Sequence, residues 1–382
     1  MKKAKIMVIA LFAGILGAFF LVSVLLPQKD FSVTENRLLE QRPELLPEDV
    51  LSGDYQETYE TYLNDQFVAR DRWVDLAVNT EKLMGRRDVN GIYVGKDGYL
   101  LEKYDDGDFD ARENADHIGI LGEFLNEMTA QYGAEHVDCL FVPGKAAALP
   151  DKLPGYAAPF DEQEILQAVC DELERPEIVL DLTQTMNAHE DEYIYYRTDH
   201  HWTTLGAYYA YAAWCEKHGR TAEPLSAYER ETVADDFYGT SYNKSHQNVQ
   251  PDTVELFHRV NEQPVHVVWD CGEKEADSPY QRDLSGENDK YRAFFDGNTA
   301  EITIDTDCDN QKTLLLLKDS YANCFVPFLF EDYSRIVMID LRYQADDLDD
   351  ILAEEPGITD VMVLYNVEKF LQDENIDLLL PE

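Results

Sequence analysis

The chain has 382 residues, a formal net charge of −44, 45% hydrophobic residues and 12% aromatic residues. The aromatic content is enough to build a folded core and argues against a disordered acidic tail, while the negative charge repels phosphate backbones and disfavours a nucleic-acid partner. The length fits one large α/β domain with additions, or two domains.

The N-terminus predicts a membrane anchor. Lys2, Lys3 and Lys5 precede residues 6–26, an uncharged and mostly apolar run that is long enough to cross about 30 Å of hydrocarbon as a helix. The run exceeds the apolar region of a signal peptide and lacks a small-x-small cleavage site, which favours an uncleaved anchor over a removed signal peptide. Every acidic residue follows Lys29, so the charge bias predicts a single-pass protein of the cell membrane whose bulk is extracellular.

Residues 1–29 therefore form the cytoplasmic lysines and the anchor, and residues 30–110 are predicted to be a helical and hairpin extension. Apolar and aromatic residues recur at helical spacing over residues 55–84, where Gly85 ends the pattern. Two short β runs over residues 92–101 surround a Lys-Asp-Gly turn, which predicts a hairpin. A helix that reaches about Tyr132 follows the charged stretch after it.

Residues 111–382 show apolar strands that alternate with helices, the pattern of a doubly wound, mostly parallel sheet flanked by helices on both faces. Residues 220–300 are rich in Asp, Gly, Asn and Ser and predict an irregular insertion of long loops around one strand. The predicted strands cover residues 137–142, 178–182, 193–196, 265–269, 313–317, 335–339 and 360–365, and the helices cover residues 163–173, 204–218, 321–330 and 346–354.

The cysteines allow two interpretations. No C-x-x-C pair occurs, which disfavours a zinc cluster. An even number outside the membrane permits three disulfides of undetermined pairing, and several buried free thiols fit the sequence equally well. The six residues are Cys139, Cys170, Cys215, Cys271, Cys308 and Cys324.

Ser320 is the first candidate for chemistry, because it follows a buried strand in the run Lys318-Asp319-Ser320 and precedes a helix. A serine at such a turn presents its hydroxyl at the sheet edge beside backbone N–H groups that can bind an oxyanion. An N-cap of the following helix is an equally ordinary role for this serine. On this segment alone, nucleophile and cap are both open.

A second strand–loop–helix segment carries Asp199, His200 and His201. A serine nucleophile needs an imidazole base, and the base needs a carboxylate that fixes its tautomer, so this segment supplies the expected complement. Only one of two adjacent histidines is expected to face the nucleophile, and the other to pack or bond locally. A metal site on the same three residues, or a capping turn, are the alternatives; adjacent histidines diverge on an extended chain, which ranks a metal below a triad.

Asp199-His200-His201-Trp202 is the four-residue signature after which the DHHW family is named, and the chain resembles that family. Its layout also resembles the alginate O-acetyltransferase branch of the SGNH hydrolase-like superfamily. The resemblance runs in order through eight segments: residues 35–37 (ENR), 65–70 (DQFVAR), 91–101 (GIYVGKDGYLL), Pro143 with Lys145, 197–203 (RTDHHWT), 237–239 (FYG), 318–321 (KDSY) and 340–343 (DLRY).

The resemblance implies an SGNH-like fold and a triad in which Asp199 pairs with His201 and Ser320 is the nucleophile. The superfamily's Gly-Asp-Ser is Lys-Asp-Ser here, and its oxyanion glycine and asparagine have no clear counterparts. Further candidates for substrate or oxyanion contacts are Gly239, Asn243, Arg342, Lys145 and His200, for which loop roles or an ordinary salt bridge are the alternatives.

The function that the resemblance implies is O-acetylation of a cell-surface polysaccharide through an acyl-enzyme, with a multi-spanning membrane-bound O-acyltransferase as acetyl donor and no cofactor. A carbohydrate esterase uses the same groups with water as acceptor, and a glycan-binding or wall-assembly protein with a vestigial triad is the non-enzymatic alternative. Acceptor choice depends on whether the pocket excludes water.

Overall fold

The computed structural model describes residues 88–105, 107–260, 265–344 and 357–380 without a gap, together with parts of residues 2–80 and residues 348, 351, 352 and 355. Contacts divide the chain into two units, residues 1–89 with 243–247 and residues 90–242 with 248–382. The predicted domain limits at residues 29 and 110 stay predictions.

Within the described residues, helices and strands are numbered separately along the chain. The helices are α1 (Lys2–Leu25), α2 (Asp54–Asp65), α3 (Ala111–Tyr132), α4 (Lys145–Ala148), α5 (Glu162–Glu172), α6 (Thr183–Asn187), α7 (Thr204–Lys217), α8 (Thr240–Ser245) and α9 (Val367–Leu371). The strands are β1 (Phe31–Ser32), β2 (Arg37–Leu38), β3 (Asp88–Val89), β4 (Ile92–Val94), β5 (Leu100–Glu102), β6 (Val137–Val142), β7 (Val179–Asp181), β8 (Tyr228–Phe237), β9 (Asp252–Arg259), β10 (His266–Trp269), β11 (Lys274–Ala276), β12 (Glu301–Asp305), β13 (Thr313–Lys318), β14 (Arg335–Ile339) and β15 (Asp360–Asn366).

The first unit contains α1, the antiparallel pair β1–β2 and α2. Among the described residues, no helix is found that has both the length and the apolar character needed to cross a bilayer. Several residues of the segment 6–26, Leu26 among them, lie outside that description, and the anchor stays a prediction.

The helix predicted over residues 55–84 is interrupted in the structure, and residues 70, 72, 73, 76 and 80 are helical again after the break. Helix α2 ends at Asp65, and Ala69 has a φ of 54°, a left-handed conformation that a continuous helix does not accommodate. Residues 71, 74–75, 77–79 and 81–84 of the predicted helix lie outside the described residues, as do Glu35 and Asn36 of the first family segment.

The second unit is built on an eight-stranded sheet of order β11-β10-β12-β14-β13-β15-β6-β7. Strands β14, β13, β15, β6 and β7 pair in parallel, and β12, β10 and β11 continue the sheet antiparallel. The α/β class and the parallel half of the sheet are therefore confirmed, and the sheet as a whole is mixed.

The sheet carries an apolar core on each face. Along β13, Leu314 and Leu316 belong to one cluster with Trp202 and Phe325, whereas Leu315 and Leu317 belong to a second cluster with residues of α3 and α5. This alternation is the period of a strand that is buried on both faces, which is why β13 reads as a continuous apolar run. The predicted hairpin is also confirmed, because β4 and β5 pair antiparallel around a 3₁₀ turn in which Asp97 has a φ of 55°.

Three element predictions are wrong. Residues 193–196 form no strand beyond a single bridge between Tyr195 and Trp202, since the polar run between them turns the chain back sharply. The helix predicted over residues 321–330 is two 3₁₀ turns, Ser320–Cys324 and Val326–Leu329, separated at Phe325, with Pro327 in the first turn of the second. Residues 220–300 hold β8, β9 and β11 in addition to β10. The helix predicted over residues 346–354 lies largely outside the described residues.

One edge of the sheet gathers the carboxyl ends of β6, β13 and β15. After β13 the chain continues to β14 on one side and then to β15 on the other, so the end of β13 is a topological switch point. In open α/β sheets this is where a crevice for ligands forms. Ser320 stands two residues beyond the end of β13.

Candidate active site

Ser320 begins a 3₁₀ helix directly after β13, and it does not cap that helix. The cap is Asp319, whose Oδ1 accepts a hydrogen bond from the Tyr321 N–H at 2.8 Å. The other carboxylate oxygen of Asp319 accepts from the Asn366 N–H at 2.9 Å, which ties the turn to the end of β15. The Ser320 hydroxyl is therefore left for another partner, and its Oγ lies 2.7 Å from Nε2 of His201.

The segment Asp199-His200-His201-Trp202 forms a tight turn closed by the Tyr196 N–H, which donates to the His201 carbonyl at 3.1 Å. Within it, Oδ1 of Asp199 lies 2.6 Å from Nδ1 of His201 and accepts from the His201 backbone N–H at 3.0 Å. A carboxylate at Nδ1 fixes the proton on that nitrogen and leaves Nε2 to accept from the serine. The structure thus brings Ser320, His201 and Asp199 into one hydrogen-bonded line.

The second oxygen of Asp199 is held by Thr240, a residue that sequence reasoning missed. Oδ2 of Asp199 accepts from the Thr240 N–H at 2.9 Å and from its hydroxyl at 3.2 Å. Burial alone would raise the pKa of Asp199, but the charges and hydrogen bonds of His200 and His201 outweigh it and hold the pKa well below its ordinary value. Asp199 is therefore an anion with both oxygens occupied.

Gly239 makes room for this carboxylate. A Cβ at Gly239 would lie 2.2 Å from Cβ of Asp199 and 2.3 Å from its Oδ2, so any side chain here would collide with Asp199. The Gly239 N–H donates to Oγ1 of Thr198 at 3.1 Å. Its role in the structure is thus close packing and not donation to an oxyanion, while Asn243 lies on α8 within the residues that group with the N-terminal unit.

Lys145 and Asp252 hold the backbone of the turn. Lys145 is 1% exposed, and its Nζ donates to the Asp199 carbonyl at 2.5 Å and to the Tyr196 carbonyl at 3.1 Å. Asp252 accepts from the Thr198 N–H at 2.6 Å and from the Thr198 hydroxyl at 2.5 Å. The lysine that was a candidate for substrate contact therefore positions the carboxylate, and Asp252 was missed because β9 itself was missed.

His200 faces away from the serine and toward Thr240, with Nδ1 at 2.7 Å from the Thr240 hydroxyl. Burial, followed by the nearby charge of His201, lowers the pKa of His200 to about 4. The ligand atoms of Asp199, His200 and His201 lie within 4.8 Å of one another, which is the distance of a possible metal site. Both ring nitrogens of His201 are hydrogen-bonded in this arrangement, so a metal ligated by His201 would have to replace one of those bonds.

Tyr291 covers His201, and no sequence signal pointed to it. The two rings stack at a centroid distance of 3.9 Å and an interplanar angle of 9°, and the Tyr291 hydroxyl donates to the Ser320 carbonyl at 3.1 Å. The serine and histidine segments are joined again by Trp202, whose Nε1 donates to the Tyr321 carbonyl at 2.9 Å. In return the Tyr321 hydroxyl donates to the His200 carbonyl at 2.7 Å.

The strand end before Ser320 holds a buried ionic cluster. Nζ of Lys318 lies 3.1 Å from Oδ2 of Asp340, and it also donates to Asn298 at 3.1 Å and Asn323 at 3.0 Å. Burial lowers the pKa of Lys318. Arg342 makes two hydrogen bonds to the same carboxylate of Asp340, at 2.8 and 2.7 Å, so the salt-bridge alternative describes Arg342 in this structure.

Comparison with known proteins agrees with the motif. Residues 170–339 match the family model described as DHHW protein, a segment that contains Asp199, His201 and Ser320. The predicted DHHW resemblance is confirmed. No curated protein matches the chain.

Several solved structures are similar to about three quarters of this chain. A DHHW family protein from Eubacterium siraeum is 25% identical, with 76% of this chain and 95% of that chain covered and a TM-score of 0.59. PatB1 from Bacillus cereus is 20% identical, with 75% and 98% covered and a TM-score of 0.61. The O-acetyltransferase domain of AlgJ from Pseudomonas putida is 16% identical, with 74% and 92% covered and a TM-score of 0.44.

Proposed function

We propose that this protein is an O-acetyltransferase that uses Ser320 as nucleophile, His201 as base and then acid, and Asp199 as the group that orients His201. The observation that carries the proposal is the line of hydrogen bonds from Ser320 Oγ through His201 to Asp199, at 2.7 and 2.6 Å. Nucleophile, base and orienting carboxylate within hydrogen-bond reach are the geometric signature of covalent catalysis by serine.

The reaction has two halves. His201 Nε2 takes the hydroxyl proton as Ser320 Oγ attacks the acetyl carbonyl, and the donor's alkoxide leaves with that proton, so acetyl-serine and an alcohol result. His201 then takes the proton of an incoming sugar hydroxyl, whose oxygen attacks the acetyl-serine and regenerates Ser320. The anion of Asp199 stabilises the imidazolium that forms in each half, and the low pKa of Asp199 keeps this charge in place at neutral pH.

Restricted access at the site supports transfer to a sugar over hydrolysis. Ser320 and His201 are each only 6% exposed, and Tyr291 covers one face of the imidazole. An acceptor that fills the remaining opening would exclude the water that otherwise completes an esterase reaction.

The surroundings proposed for the reaction come from the N-terminal sequence. An anchor over residues 6–26 would hold the acidic body outside the cytoplasm, beside its cell-surface glycan acceptor. Acetyl-CoA is cytoplasmic, so the acetyl group would reach Ser320 through a multi-spanning membrane-bound O-acyltransferase.

The test is incubation of the full chain with p-nitrophenyl acetate, with and without neutral oligosaccharides, followed by intact mass, free acetate and acetylated sugar. We expect one acetyl adduct on the wild type, none on Ser320→Ala, and acetylated sugar when the acceptor is present. Ser285→Ala is the matched control, because Ser285 is exposed and its hydroxyl donates to Asp283, two residues before it in the chain.

Three results would contradict the proposal. A Ser320→Ala variant that keeps about a tenth or more of the wild-type acyl uptake would exclude Ser320 as the nucleophile, because loss of a triad serine lowers turnover by about 10⁶. Acetate release without acetylated sugar would favour the esterase. No adduct and no turnover, with glycan still bound, would favour the non-enzymatic alternative.

A further inference from the structure

A cavity of about 280 Å³ lies apart from the triad and has no role in the mechanism above. Its walls come from the start of β8, the end of β9, the loop after β12 and the 3₁₀ turn Val326–Leu329. None of Asp199, His201 and Ser320 is among the residues that line it. The 3₁₀ turn follows the Ser320–Cys324 helix in the chain, so one wall of the cavity continues from the segment that carries the nucleophile.

The floor of this cavity is aromatic. Tyr228, Phe257 and Phe328 line it and are 8%, 3% and 3% exposed, so their rings are fixed by the surrounding core. The rings of Tyr228 and Phe328 meet edge to face with centroids 5.3 Å apart. Rigid aromatic surface of this kind offers contact area to the C–H face of a ligand with little loss of conformational entropy.

The rim of the cavity is polar. Arg259, Asp307 and Glu331 line it, and Nη1 of Arg259 lies 2.5 Å from Oε1 of Glu331. Side chains of both members of this pair are accessible, at 27% and 60% exposure, and Asp307 is exposed. The rim thus places guanidinium donors and carboxylate acceptors around an apolar floor.

The charges indicate what fits between floor and rim. Among the described residues that line the cavity, Arg259 is the only lysine or arginine, Glu331 already neutralises it, and the whole chain carries a net charge of −44. An anionic ligand is therefore repelled, and a purely apolar ligand would gain no hydrogen bond from the exposed carboxylates of Asp307 and Glu331. A neutral sugar ring, which has apolar faces and hydroxyl groups around its edge, matches both the aromatic floor and the polar rim.

We propose that this cavity binds one neutral hexopyranose ring of the glycan acceptor, as a subsite separate from the site of acyl transfer. The assignment of the ring to the acceptor rests on the proposed function. The volume supports a single ring, because pockets for larger organic ligands span about 300–1,000 Å³ and this cavity lies below that range. Arg259 lies over one face of the Tyr228 ring and Arg230 over one face of the Phe257 ring, so apolar contact with the remaining surface of these rings and hydroxyl bonds to Arg259 and Glu331 would hold it.

Cys308 gives a direct readout of occupancy. Its thiol lines the cavity, is free and partly exposed, and its pKa is raised by burial. Cys170 on α5 is also free and partly exposed, its pKa is raised in the same direction, and it does not line the cavity. Alkylation by iodoacetamide at mildly alkaline pH, followed by peptide mass spectrometry, therefore has an internal control.

The experiment uses the full chain carrying Ser320→Ala, so that no turnover intervenes, with methyl glucoside, methyl galactoside, methyl mannoside and N-acetylglucosamine as probes. At least one neutral sugar should slow alkylation of Cys308 and leave the rate at Cys170 unchanged. Arg259→Gln should weaken that protection by about tenfold or more, as loss of a charged hydrogen-bond donor predicts. Arg282→Gln is the matched control, since Arg282 pairs with Glu231 and lies over the Tyr280 ring without lining the cavity.

Protection by cyclohexanol as strong as that by the sugars would overturn the proposal in favour of an apolar ligand. Protection by glucuronate alone would overturn it in favour of an anion, and absence of protection by any sugar would also overturn it. Failure here leaves acyl-enzyme formation on wild-type Ser320 untouched, whereas failure of the proposed function leaves sugar protection of Cys308 in the Ser320→Ala chain untouched. The two failures are therefore distinguishable.

Discussion

Asp199 has two oxygens with two separate tasks. Oδ1 orients His201, and Oδ2 is held by the backbone and hydroxyl of Thr240. Because Thr240 also bonds to His200, one threonine fixes both the carboxylate and the histidine that does not face the serine. The orientation of the base therefore depends on residues 239–240, which follow β8, as much as on the DHHW turn itself.

Gly239→Ala tests this dependence. The new Cβ would overlap Asp199, so we expect the carboxylate to shift and acyl transfer to fall by about 10²-fold, the size of effect that a displacement near 1 Å produces. Acetyl-enzyme formation measures the loss, and thermal unfolding shows that the variant is folded. Gly119→Ala, on α3 with no atom within 4 Å of the new Cβ, should leave the rate unchanged. An unchanged rate in Gly239→Ala would contradict this account of Asp199.

The two histidines predict opposite results on truncation. His201→Ala removes the only imidazole bonded to Ser320 among the described contacts and should abolish acetyl-enzyme formation. His200→Ala loses a bond to Thr240 and should keep much of the activity, because the pKa of His200 near 4 leaves it neutral and without a charge to contribute at pH 7. Rates of adduct formation with circular dichroism as a folding check distinguish the two. The reverse pattern would assign the base to His200.

At the scale of single residues, the sequence predicted the three triad residues better than the residues that position them. The family resemblance predicted Ser320, His201 and Asp199 as the triad. The residues alone did not decide which of the two histidines is the base, or whether the serine is a nucleophile or a helix cap. Thr240 and Tyr291 carried no signal because neither is part of a catalytic motif and each acts only through a fold that brings distant segments together. Lys145 and Gly239 were chosen as candidates, and in the structure they position the turn.

Strand β13 is buried along its whole length, yet its last residue is the charged Lys318, where an apolar residue would be usual. Lys318 is fully buried and links Asn298, Asn323 and Asp340 beneath the Ser320 turn. The lysine that replaces the glycine of the related motif is thus a structural anchor for the turn. Arg342 provides the second partner of Asp340.

Lys318→Met should lower the free energy of unfolding by about 3 kcal/mol, because one member of a buried ion pair is removed while two asparagines lose their donor. Urea denaturation measures the change. The control is Lys312→Met near the start of the same strand, where the side chain is 47% exposed and a loss within about 1 kcal/mol is expected. Equal effects at the two positions would contradict the role given to Lys318.

The strand errors have two physical causes. Strand β8 reads YERETVADDF, in which five of the ten side chains are charged and four of those five are exposed, so its pairing with β9 leaves almost no apolar pattern in the sequence. Residues 193–196 are apolar because they are buried beside the DHHW turn, not because they join the sheet. The long apolar strands β6, β13, β14 and β15 were predictable because both of their faces are covered.

At the scale of the whole molecule, two buried glutamates, Glu162 and Glu368, connect α5, α9 and the loop before α4 in the second unit. Glu162 at the start of α5 accepts from the Gly144 N–H at 3.0 Å, and Glu368 on α9 hydrogen-bonds to Glu162. Burial, followed by repulsion from Glu102, raises the pKa of Glu368 to about 7. The folded protein therefore keeps a proton here that the unfolded chain releases near its ordinary value of 4.5.

The sign of the pH dependence follows. As pH rises from 4.5 to about 7 the unfolded state sheds the Glu368 proton and the folded state does not, so this group lowers the free energy of unfolding over that window and adds no further change above it. Glu368→Gln should remove the loss, and the variant should exceed the wild type at pH 8 by on the order of 3 kcal/mol while matching it near pH 4.5. Denaturant titrations at several pH values measure this, with Glu164→Gln, at an exposed position of α5, as control. A difference between variant and wild type that is the same at every pH would contradict the raised pKa of Glu368.

Trp202 gives the protein an optical reporter of its own. Its indole N–H is bonded to the Tyr321 carbonyl, next to the serine, while its neighbour in sequence is His201. The chain has only four tryptophans, so replacing Trp73, Trp214 and Trp269 by phenylalanine would leave emission from this one ring. The Trp202 ring is fully buried and its N–H has a defined acceptor. Separation of the DHHW turn from the Ser320 segment would therefore expose the ring and shift its emission toward that of hydrated indole. Assembly and loss of the site could then be timed in a stopped-flow fluorimeter without any added label.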